Sequence, residues 1–158
     1  INDAKIAEAL AQMLNRVGIE ASVETMPKAV YFKRASRGGP NKSPEFSFML
    51  LGWGAGSGEA SSPLKALLHT YDKSKGLGAA NRGRHSDAEV DKLVKQALAT
   101  VDADARGALL AKATEKAVGE NYGVIPMHYQ VNTWAAKAGY KYLPRTDERT
   151  IVTGLSQN

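Results

Sequence analysis

The chain contains no cysteine, which removes disulfide frameworks, thiolate metal sites and cysteine nucleophiles together. The absence fits an oxidising compartment, where a free thiol is a liability, but cytosolic chains also dispense with cysteine. No apolar run approaches the ~18 residues that a membrane-spanning helix needs. The 3 histidines, His69, His85 and His128, stand apart. None has the H-x-x-x-H or H-E-x-x-H spacing that would place two imidazoles on one metal. His85 stands beside a helix cap and is expected to be exposed, and His128 reads as a strand residue. Repeats and low-complexity segments are also missing. There is no initiator Met and no signal-peptide pattern, and a helical pattern begins almost at Ile1, as expected of a processed or excised piece.

What is present is the material of a folded domain. The 158 residues suffice for one core, or for one lobe of something larger. Hydrophobic residues make up 43% and charged ones 23%, which argues against wholesale disorder. The net charge of +5 is clustered. Between Pro27 and Glu45, five cations (Lys28, Lys33, Arg34, Arg37, Lys42) face one Glu. Between Lys65 and Arg84, five more (Lys65, Lys73, Lys75, Arg82, Arg84) face one Asp. Such a face attracts nucleic acid, anionic lipid or an acidic ligand, or is simply a solvated surface.

Periodicity divides the chain into elements. Asn2 or Asp3 caps a helix carrying Ile6, Leu10, Met13, Leu14 and Val17 at three-to-four spacing, and Gly18 is its expected stop. Ile19, Ala21, Val23 and Thr25 alternate as in a strand. Pro27 suits the first turn of a helix reaching about Ser36. The nearly unbroken apolar stretch Phe46 to Leu51 reads as a strand covered on both faces, so strand, helix and strand make a right-handed βαβ unit. Ser62-Pro63 opens a short helix to about His69. Ser86-Asp87-Ala88-Glu89 is a capping box before Val90, Leu93, Val94, Ala97 and Leu98. Asp102 caps a following helix with Leu109, Leu110, Ala113 and Ala117 inward, and these two helices make a hairpin. Val124 to Tyr129 reads as an edge strand because of Pro126. The tail from Tyr140 is poor in core signals until Thr150 to Thr153.

The loop after Leu51, Gly52-Trp53-Gly54-Ala55-Gly56-Ser57-Gly58-Glu59, invites three chemical readings. A dinucleotide fingerprint needs G-x-G-x-x-G opening a helix. From Gly54 the third glycine is replaced by Glu59, which would also repel an anion, and from Gly52 it is replaced by Ser57. No Gly-Lys-Ser/Thr follows, so the P-loop pattern fails as well. Ser57 is out of register with G-x-S-x-G, because Ala55 and Glu59 occupy the two glycine positions. The remaining reading is a cleft wall. Trp53 is then either a core aromatic or a flat stacking surface at the carboxyl end of a strand, where open α/β sheets place ligands. A nucleic-acid reading rests on the basic clusters with Tyr31, Phe32 and Tyr71, and no helix-turn-helix, RNP-like or KH signature accompanies it.

Taken in order, the elements resemble the family 5 extracellular solute-binding proteins of bacterial ABC importers, the dipeptide, oligopeptide and nickel-type binders. The likeness is carried by the first helix leading into Val17-Gly18-Ile19, by Tyr31-Phe32-Lys33-Arg34 as in a Y-x-K-R helix, and by Gly52-Trp53-Gly54-Ala55 as in GW-x-x-D. Asn81 followed by Ser86-Asp87-Ala88-Glu89-Val90-Asp91-Lys92-Leu93, and Arg106, Val118 and Pro126-Met127-His128-Tyr129, continue it. The resemblance implies an α/β, periplasmic-binding-protein-like lobe with a central mixed sheet, flanking helices and a helical hairpin. Residues 1–139 would form most of a C-terminal lobe, and 140–158 a tail crossing back toward a missing N-terminal lobe.

That likeness further implies a non-catalytic substrate-binding component for peptide or small-solute uptake, in the periplasm or lipid-anchored at the cell surface. It would hand its ligand to an ABC permease in the inner membrane. Its expected ligand-binding residues are Trp53, Gly54, Ala55, Gly56, Ser57, Glu59, Asn81 and Arg82, with no catalytic residue, metal, cofactor or nucleic-acid partner. In peptide-binding members an Asp in W-x-x-D pairs with the ligand's ammonium. Here Gly56 holds that position, which points to a ligand without an ammonium or to an anion matched to Arg82 and Arg84, with Glu59 as a substitute carboxylate. The alternative from another class is a stand-alone basic α/β domain that binds nucleic acid or an anionic surface. Steep loss of affinity with salt would identify it.

Overall fold

A computed structural model describes residues 3–46, 48–145, 147 and 149–157. It is helix-rich with one small sheet and divides into two compact units, Ile1–Val124 and Ile125–Asn158. The first unit carries α1 (Asp3–Arg16), α2 (Lys28–Arg37), α3 (Ser61–Pro63, continued by the wider π-turns of Leu64–Leu68), α4 (Ala88–Ala99) and α5 (Ala103–Thr114, continued by π-turns over Glu115–Glu120). The second carries β1 (Tyr140–Tyr142) and β2 (Leu155–Gln157).

The core of the first unit is the expected hairpin, closed by α3. Val90, Val94 and Ala97 of α4 meet Leu110, Ala113 and Ala117 across the turn, with Leu64 and Leu68 packed against both. Leu93 and Leu109 are only partly covered, and Leu98, expected inward, is 48% exposed. Small residues at 97, 113 and 117 let the two helices approach closely, and the aliphatic side chains of α3 fill the space above them.

Helix ends follow from local hydrogen bonding. Gly18 sits at φ +84 beyond α1. Its N–H reaches Asn15 O at 3.1 Å while the Ile19 N–H reaches Leu14 O at 3.0 Å, the two bonds of a Schellman stop. Of the expected caps for α1, Asn2 lies outside the described residues and Asp3 is already helical. Asp87, not Ser86, caps α4: its carboxylate accepts from the N–H groups of Glu89 at 2.8 Å and Val90 at 2.9 Å. A charged cap suits the positive helix end better than a hydroxyl, and Ser86 bonds Thr70 instead at 2.9 Å. Asp102 caps α5 as expected, accepting from the Ala105 N–H at 2.8 Å.

Among the described residues the expected central mixed sheet is absent, and the one sheet has two strands. Segments 19–25, 46–51 (position 47 lies outside the described residues) and 124–129 have no ladder partner among the described residues. Side chains hold the first two instead. Asn15 bonds both backbone groups of Ala21, and Arg34 of α2 clamps the carboxylates of Glu24 and Glu45, so both segments meet at one helix face. Apolar residues that a two-sided sheet would cover stay open, with Ile19 54%, Phe48 72% and Tyr129 98% exposed. A buried strand needs neighbours on both edges and layers on both faces, and among the described residues these segments have no edge neighbour.

The second unit is built on the antiparallel register Tyr140↔Gln157, Lys141↔Ser156, Tyr142↔Leu155. Trp134 donates its indole N–H to Thr150 Oγ1 at 2.9 Å and packs its ring 5.7 Å from that of Tyr142. Gly154 is required here, because a Cβ would lie 2.9 Å from the Tyr142 ring.

Candidate ligand-binding site

The glycine loop is exposed from Gly52 to Gly58, with Trp53 45% accessible. It turns where the Gly58 N–H meets Ala55 O at 2.9 Å, and Gly58 at φ +74 serves that turn. Gly52, Gly54 and Gly56 have a different character. A Cβ at any of them would meet nothing within 4 Å, so neither packing nor a left-handed backbone calls for glycine there. Trp53 is therefore not the core aromatic of a covered strand, and its ring and Gly54, Ala55, Gly56 and Ser57 form an open rim.

The segment that leads into that rim meets an aromatic cluster built on α2. The Tyr31 hydroxyl donates to Leu50 O at 2.8 Å, fixing the segment that feeds the loop. The Tyr31 ring stacks on Phe46 at 5.7 Å and meets Phe32 edge-on at 5.2 Å. Arg82 spreads its guanidinium over Phe32, 5.4 Å from the ring centre, and donates from Nη1 to Ala80 O at 3.2 Å. Its Nε is enclosed and has no acceptor. Burial raises the Tyr31 hydroxyl pKa against the opposing pull of the nearby Arg82 cation. Two residues on, Arg84 at φ +56 lies 4.0 Å above the Tyr71 ring.

The other two expected residues have internal duties. Glu59 is fully engaged: Ser61 Oγ donates to Oε1 at 2.6 Å and Arg106 Nε donates to Oε2 at 2.9 Å. These two bonds, the Ser61 hydroxyl first, hold the carboxyl below its ordinary pKa. As a substitute for the missing loop carboxylate, Glu59 is already taken. The same pair edges an open concavity of about 730 Å³ along α5, floored by Ala60, Gly107, Leu110 and Ala111. Asn81 is 3% exposed and works as a clasp. Its Nδ2 donates to His69 O at 3.0 Å and His85 O at 2.7 Å, while its Oδ1 accepts the His85 N–H at 3.0 Å. Asn81 is thus a structural residue rather than a cleft contact.

His85 departs from its expected exposure. It is half-buried, with Nδ1 2.8 Å from Leu68 O and Nε2 enclosed. No group of three or more potential metal ligands occurs among the described residues, and no described helix is long and apolar enough to cross a membrane. Tyr31 and Phe32, expected to matter only in the nucleic-acid alternative and as part of the Y-x-K-R helix, are the aromatics that meet Leu50 and Arg82. Arg106 carried no local signal, being 47 positions from Glu59.

Comparison with family models, with curated proteins and with solved structures finds no match to this chain.

Proposed function

We propose that the chain is the C-terminal lobe of an ABC-importer solute-binding protein, a non-catalytic component that captures a small ligand outside the inner membrane and delivers it to a permease. The observation that carries this reading is the open rim. Three glycines without an internal reason to be glycine flank an exposed Trp53, an arrangement suited to close approach by something outside the unit. The extended segments 19–25, 46–51 and 124–129 have no ladder partner among the described residues, so on this reading residues outside the chain would have to complete the central mixed sheet. A second lobe would then close over the rim by hinge motion and bury the ligand.

The test is a thermal-shift screen of the complete protein against peptides, sugars and metal chelates. The reading expects a saturable one-to-one ligand that raises the melting temperature. Binding only to nucleic acid, with steep loss on adding salt, would replace it with the basic-domain alternative.

A further inference from the structure

We infer that the rim takes an oxyanion, a carboxylate or phosphate group, on Arg82, and does not take an ammonium. The inference deepens the ligand-binding reading above and rests on it for the identity of the site. Its first support is the charge balance of the rim. The stretch Leu50 to Gly58 contains no carboxylate, and Glu59 is ion-paired with Arg106 and accepts from the Ser61 hydroxyl. An ammonium enclosed against this stretch would find no counter-charge within it, a situation that effective desolvation makes costly.

Arg82 presents the opposite imbalance. It forms no ion pair among the described residues, unlike Arg34, Arg106 and Arg145, each of which faces a carboxylate. An enclosed guanidinium N–H without an acceptor is an unmet donor on a charged group. Resting on Phe32 keeps the guanidinium partly dry, which strengthens its interaction with an incoming anion. Its planar fork matches a carboxylate or phosphate edge with two parallel hydrogen bonds. Engagement through Nε requires the side chain to slide on Phe32 and uncover that nitrogen. Tyr31 links Phe32 to Leu50, so the anion would sit at the base of the glycine rim. Arg84, also without an ion pair among the described residues, adds a second positive charge over Tyr71.

The experiment follows the ¹⁵N–¹H signal of Arg82 Nε in the full chain during titration with inorganic phosphate, succinate and putrescine. The expected result is a saturable shift with at least one of the two anions, the stronger one naming the source, and none with putrescine. Calorimetric titration of the variants with that anion should show binding weakened at least tenfold in R82Q, by less in R82K, and not at all in R37Q. The inference is overturned if neither anion gives a saturable shift, if R82Q binds as tightly as the parent, or if putrescine binds at the same signal. Failure of the lobe reading looks different: Arg82-dependent anion binding would persist while segments 19–25 and 124–129 stayed unprotected from hydrogen exchange in the longer protein.

Discussion

Asn81 bridges His69 and His85 by hydrogen-bonding the backbone of both, at 3.0 Å and 2.7 Å. The loop between them carries Tyr71, Arg82 and Arg84, so this one amide fixes where the unpaired cations stand. Removing it leaves enclosed backbone groups unmatched, each costing roughly 1–3 kcal/mol. N81A should therefore lower unfolding free energy by that order in urea titrations. N81D should be no better, because a carboxylate cannot donate to two carbonyl oxygens. An unchanged midpoint in N81A would remove the clasp from the account.

Gly54 and Gly56 have open space around them, whereas Gly78, at φ +60, is packed against His69 O and the Tyr71 backbone. G54A and G56A are expected to change stability by less than about 0.5 kcal/mol. G78A should cost at least about 1–2 kcal/mol from the left-handed backbone alone. Denaturant midpoints of the three variants, measured side by side, check the contrast.

Leu68 is 3% exposed between α3 and the α4–α5 hairpin. L68A is expected to cost ~2–5 kcal/mol through lost burial and an incompletely filled cavity. L98A, on the exposed side of α4, should cost much less. Equal losses would mean that the hairpin presents a different face to its core.

Asp72 holds the turn before Leu77. Its carboxylate accepts from the hydroxyl and the N–H of Ser74 at 2.6 Å and 2.9 Å, and pairs with Lys75 at 3.3 Å. These contacts, the Ser74 hydroxyl bond first, lower its pKa from 3.8 to about 2. A carboxyl depressed in the folded state binds fewer protons there than in the unfolded chain. Its stabilising effect is therefore complete above pH ~4 and disappears as pH falls toward 2. Carbon-detected NMR titration of Asp72 should show the low midpoint, and S74A should move it upward.

The helical hairpin was legible because its evidence is local: three-to-four spacing in 90–98 and 109–117, with Asp87 and Asp102 just before. The strands were not, because a strand is defined by its neighbour, and alternation at Ile19 to Thr25 says nothing of which neighbour exists. The tail sheet escaped notice for a related reason. Tyr140–Tyr142 and Leu155–Gln157 are too short to show a period and take their meaning from pairing. At the site, the glycines were visible in the sequence but left Trp53 open between a core aromatic and an exposed surface. The duties of Asn81 and Glu59 could not, since each depends on partners distant in sequence, His69 and Arg106.

The central claim is that this chain is one lobe whose extended segments are completed by residues outside it. Hydrogen exchange tests it most directly, comparing the 158-residue chain with a longer protein carrying the upstream lobe that the proposal requires. The account predicts that amides in 19–25, 48–51 and 124–129 exchange rapidly in the chain alone and become strongly protected in the longer protein, where a ladder forms. Rapid exchange in both, or protection already present in the isolated chain, would contradict it.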